Sequence, residues 1–211
     1  MTLRQTVVPC GFLLPLVFLV SLTARAQNAT AYQTPPKALA DLVTVPPTPG
    51  VMTGNGDVML ILEQASAPTI AELAQPELKL AGLRINPLNN GPSRVNYITG
   101  LKLKQLPGGT DVAVKGLPSS RDGGPALISY VQWSPDESRF AFTVSGETGI
   151  ELYVADVATA TATRVTNRLV NATFGTPFQW LSDSKGLIVK LIPEGRGPAM
   201  APSRVPVGPT T

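Results

Sequence analysis

Two short stretches hold the side chains of this sequence best suited to chemistry: "WSPDES" at 133–138 and "WLSDSK" at 180–185. Each sets an indole three residues ahead of a carboxylate, Trp133 before Asp136 and Trp180 before Asp183. Such carboxylates could ligate a metal or move a proton, and the indoles could stack on a sugar or a base. A third, degenerate version, "VMTGNGDVMLILE" at 51–63, has Asn55 in the aspartate's place. The competing reading is structural. Pro135 pre-sets the backbone for a tight turn, Asp136 bonds its own backbone, and the chain reverses between two strands. Three versions of one turn-plus-strand mark a repeated scaffold, with the tryptophans as packing residues between units.

Other chemistry finds no footing. The sequence has no histidine, and its one cysteine, Cys10, lies in an apolar N-terminal run. Metal sites built on Cys and His are excluded, and so is Ser-His-Asp or Cys-His catalysis. "GNGDVM" at 54–59 starts like a dinucleotide loop, but Met59 takes the third glycine's place and no helix follows. "EGRGP" lacks the lysine-hydroxyl end of a phosphate loop, and there is no G-x-S-x-G elbow. No catalytic residue, cofactor site or metal ligand is assigned.

Residues 1–26 read as a cleavable signal peptide: Arg4, an apolar run from Val7 to Val20, and Ala24-x-Ala26 ahead of Gln27. The run is shorter than the roughly 20 residues of a spanning helix, so no stable membrane anchor is expected and the product is periplasmic or secreted. Arg4 and Arg25 leave with it, and the 17 basic residues fall to 15 against 14 acidic ones. Lys102, Lys104 and Lys115 alternate with apolar residues and read as solvated strand faces, so no nucleic-acid partner is expected. The sequons at Asn28 and Asn171 matter only in a glycosylating host.

The elements that would position the turns are short strands separated by many of the 21 prolines and 19 glycines. Residues 27–50 form a lead-in that docks on the first repeat, with a helical turn in "KALADLV" confined by Pro36 and Pro46. Strands are expected at 58–64, 78–85, 95–106, 111–117, 126–133, 138–144, 149–157 and 161–167, and again around 178–190. Between them, 66–77 holds a brief helical turn capped by Thr69 or Ser66 and ended by Pro76. Phe140 and Phe142 alternate with Arg139 and Thr143, which predicts one buried and one wetter face, a logic repeated by Leu152 and Val154. Trp133 and Trp180 are 47 residues apart, within the span of a four-stranded propeller blade. Met52 to Trp133 is 81, so the first unit carries an insertion near 64–95. The fold class is all-β, an incomplete β-propeller at 51–195 of about two and a half four-stranded antiparallel blades. An irregular tail follows at 196–211.

Three stretches resemble a known family: "AELAQPELKLAGLRINPLNNGPSR" (71–94), "YVQWSPDESRFAFT" (130–143) and "ELYVADVATATATRVTN" (151–167), with "PFQWLSDSKGLIVKLIPEGRGPAM" after them. Over about 31–200 the chain resembles the N-terminal region of exported bacterial serine peptidases of the prolyl oligopeptidase family, closest to the glutamyl endopeptidase-like group. The resemblance implies a β-propeller covering a C-terminal α/β-hydrolase domain that bears the Ser, Asp and His. No position here matches a catalytic residue of that domain. What is implied is a non-catalytic fragment whose partner is the absent hydrolase domain, with a role in gating peptide access. A free-standing exported propeller of the TolB type, acting as a protein-binding module, is the alternative. An open arc of blades also carries an expectation of self-association.

Overall fold

The computed structural model of the chain describes residues 35–54, 56–120 and 123–197. The signal peptide at 1–26, Asn55 and all but the first two residues of the 196–211 tail lie outside the described residues. Helix α1 (Lys37–Thr44) runs between Pro36 and Pro46, its first amides bonded to the Pro36 carbonyl, and none of its residues is buried. It is a full two turns, longer than the sequence implied.

The strands fall into repeating antiparallel units. In the first, β1 (Gly50–Thr53) pairs with β2 (Val58–Gln64). An insertion follows, made of α2 (Ile70–Leu73) and the strands β3 (Leu78–Leu80), β4 (Leu83–Asn86) and β5 (Gly91–Pro92). The chain then returns as β6 (Ile98–Gln105), which pairs with β2, and β7 (Asp111–Ala113) pairs with β6. The second unit is an uninterrupted meander of β8 (Ile128–Trp133), β9 (Arg139–Ser145), β10 (Ile150–Asp156) and β11 (Thr161–Arg164). Two backbone links join these four-stranded units at their margins: Ile98 of β6 pairs with Ile128 of β8, and Lys115, just after β7, bridges Thr161 of β11. The third unit has two described strands, β12 (Phe178–Trp180) and β13 (Leu187–Val189).

The expected strand at 78–85 is instead a hairpin. Ala81 and Gly82 both have positive φ, 48° and 84°, which is the backbone of a two-residue type I′ turn. The apolar alternation on both sides of that turn hid it from a periodicity reading. Within α2, Thr69 is the N-cap and forms a reciprocal capping box with Glu72.

The expectation of a wet face on β9 fails. Every residue from Phe140 to Ser145 is buried, Thr143 as completely as Phe142. Phe140, Phe142 and Val144 pack with Leu60, Leu101 and Leu103 of the first unit. Ala141 shares a second cluster with Ile150 and Leu152, which pack on Phe178 and Trp180 of the third. The pairing of Leu152 with Thr143, and of Val154 with Ala141, sets those two residues on the side opposite Phe140 and Phe142. The second unit is thus a slab between two neighbours, and its Thr143 hydroxyl is accommodated by donating to the Ser129 carbonyl at 3.1 Å.

The register shows how unlike the two ends of the stack are. Met59, Ile61, Lys102 and Lys104 of the first unit hold the positions that Phe140, Phe142, Tyr153 and Ala155 hold in the second. There the aromatic face is replaced by ion pairs, Lys102 with Glu63 and Lys104 with Asp111. The first unit therefore closes its outer face with charge, where the second closes the same face with a neighbour.

Candidate functional site

The turn after β8 is built by its own side chains. Ser134 donates its hydroxyl to Asp136 Oδ1 (2.7 Å) and receives the Arg139 amide (3.1 Å), while its backbone N–H bonds the Arg139 carbonyl. The Ser138 amide also reaches Asp136 Oδ1 (3.2 Å). Glu137 sits at φ 57°, so the carboxylate bonds are what hold a left-handed residue in a six-residue reversal. The Ser134 hydroxyl, aided by the Ser138 amide, holds the Asp136 carboxyl down at about 2. A group so depressed stays ionised and acts as an acceptor within the turn.

The turn after β12 repeats this plan. Trp180 pairs with Leu187 as Trp133 pairs with Phe140, each pair closing six residues. Asp183 Oδ1 receives the Lys185 amide (2.9 Å), and Ser184, at φ 60°, matches Glu137. The first unit departs by one residue: Thr53 pairs with Met59, closing five. Thr53, and not Met52, therefore occupies Trp133's place. Counted back from the following strand, the sequence position of Asn55 still matches Asp136.

Successive turns also touch. The Ser184 hydroxyl accepts the Asp136 amide (3.0 Å), and the Arg139 guanidinium donates to the Ser184 carbonyl (2.5 Å). That guanidinium lies 5.5 Å from the Trp180 ring centroid, a cation–π contact. The Trp180 indole N–H donates to the Gln132 carbonyl (3.3 Å), tying the third unit's inner strand to the second's. Trp133 packs edge-on to Phe140 (centroids 5.4 Å apart), and its buried Nε1 has no hydrogen-bond partner among the described residues. Both indoles thus lie at contacts between neighbouring units, Trp133 toward the first and Trp180 against the second. Pro135 sits between Ser134 and Asp136 in the built turn. Sequence reading missed the roles of Ser184 and Arg139, which depend on the neighbouring turn.

Chemically this is a row of turns. Asp136 and Asp183 belong to successive reversals, each bonded within its own, and the described residues contain no group of three or more metal-capable side chains. A concavity of about 530 Å³ opens beside these turns, between the second and third units, with Arg139, Leu152, Val154, Trp180, Lys185 and Val189 among its walls. Among the described residues two strands of the third unit face four of the second, and β11 lies beside the concavity.

The chain is 38% identical over 192 residues to a protein of Arabidopsis thaliana named probable glutamyl endopeptidase, chloroplastic. It is 34% identical over 195 residues to the protein of the same name from Oryza sativa subsp. japonica. These alignments take in 86% and 84% of this chain and 20% of each relative, so the chain spans about a fifth of their length. No protein-family profile matches the chain, and no solved structure does. The similarity to glutamyl endopeptidases expected from the sequence is present, and the named relatives are plant proteins.

Proposed function

We propose that this chain is the N-terminal β-propeller portion of an exported serine peptidase of the prolyl oligopeptidase family, similar to glutamyl endopeptidases. By itself it is non-catalytic; in the whole protein it limits and orients peptide access to a hydrolase domain. The observation that carries this reading is an alignment taking most of this chain and a fifth of each relative. Two things support the propeller architecture: repeated four-stranded antiparallel units stacked face to face, and successive turns linked from Asp136 to Ser184. The absence of histidine removes the base of a Ser-His-Asp or Cys-His arrangement from this chain. Export, with cleavage after Ala26, belongs to the same proposal and requires a secreted product whose intact mass begins at Gln27.

The test is peptide hydrolysis together with fluorophosphonate labelling of the purified chain. Neither should occur above background. Labelling that follows the protein through successive columns would overturn the non-catalytic reading.

A further inference from the structure

The insertion of the first unit does not stay with the first unit. Its base is fastened by Glu77, whose carboxylate accepts the Ser93 hydroxyl (2.6 Å) and pairs with Arg84 (3.0 Å) and Arg94 (3.3 Å). These contacts tie β3 and β4 to the returning chain and make the insertion a small rigid sheet. Its tip, residues 86–92, then crosses the ends of the other two units.

At the second unit the anchor is Asn89, which is 3% exposed. Its Nδ2 donates to the Gly146 carbonyl in the β9–β10 turn (3.3 Å), and its Oδ1 accepts the Gly91 amide (3.0 Å). Gly91 itself lies so close to Ile150 that a Cβ there would stand 2.5 Å from Ile150 Cδ1. At the third unit the grip is the next residue. The Asn90 carbonyl accepts the Ala172 amide (3.0 Å) and the Thr173 hydroxyl (3.3 Å), and its side-chain oxygen meets Arg196. Asn90 adopts φ 58°, which turns its carbonyl toward these donors while Asn89 stays buried.

We propose that residues 86–92 form a strap by which the first unit holds the third against the second. Such a device matters for the third unit, because its two short described strands face only the inner half of the slab. The strap bonds 172–173, just ahead of β12, and meets Arg196 beyond β13, so it holds the unit at both ends. With the strap released, the β12–β13 hairpin opens separately from the first two units.

Hydrogen exchange of the full chain under native conditions tests this, comparing amides of β12 and β13 with those of β2 and β9. Asn89→Ala removes the anchor, and Thr173→Val removes one bond of the grip without altering the strap. Each should speed exchange in β12 and β13 by up to about tenfold, the size expected for a lost half-buried hydrogen bond, with β2 and β9 unchanged. If Asn89→Ala fails to fold, Thr173→Val decides alone. The proposal is overturned if Thr173→Val leaves β12 and β13 unchanged, or if any acceleration is shared equally by β9.

Discussion

Replacing Phe142 by alanine should strike the centre of the stack. The ring is fully buried, 5.9 Å from Phe140 and 5.8 Å from Tyr153 between centroids, on the face that meets the first unit. Its loss removes apolar burial and leaves a cavity walled by strands of two units, which cannot collapse without moving both. A substitution of this kind costs about 3–5 kcal/mol. Against a typical domain stability of about 5–15 kcal/mol, that raises the unfolded fraction by a factor of roughly a hundred to several thousand. Thr143→Val probes the opposite face of the same strand. It deletes the hydroxyl that satisfies the Ser129 carbonyl and should cost about 1–2 kcal/mol, which a solvated threonine would not. Thr163→Val, on the exposed outer strand, is the control and should stay within about 0.5 kcal/mol. Urea unfolding read by circular dichroism and by the two tryptophans, which report the two inter-unit contacts, gives all three values. A loss below about 1 kcal/mol for Phe142→Ala, or no loss for Thr143→Val, would refute the slab arrangement.

Two other outcomes follow from the same geometry. Asp136 is held down from an ordinary 3.8 to about 2, so its contribution to stability is full above about pH 4 and is lost as pH falls toward 2; melting from pH 5 to 2 should show a drop that Asp136→Asn flattens, and equal slopes would contradict the assignment. Because the first unit's outer face carries the ion pairs of Lys102 and Lys104, while among the described residues β11 lies beside the concavity and Ile188 of the third unit is 63% exposed, self-association should run through the third unit and stop at dimers; light scattering showing a strict monomer, or open-ended polymers, would count against this.

The turns, the strand order of the second unit and the extent of the insertion were legible because each has a local cause. Proline and aspartate fix a reversal, and alternating side chains fix a strand. What the sequence hid was relational. Thr143 reads as solvent-facing in its own strand, and only the packing of a third unit on Ala141 and Leu152 makes that face interior. The hairpin at Ala81-Gly82 was masked by continuous apolar alternation. The tie between Asp136 and Ser184 spans 48 residues and has no signature in either turn alone. In the first unit, a turn one residue shorter moves Thr53 into the tryptophan's place, a shift that strand pairing reveals and residue matching does not.

The most direct test of the central claim, that this chain is one part of a larger peptidase, is the DNA sequence beyond codon 211. The account predicts a frame, continuous or shifted, encoding G-x-S-x-G and a late histidine. A clean stop followed by an unrelated gene would contradict it and leave a free-standing binding module in its place.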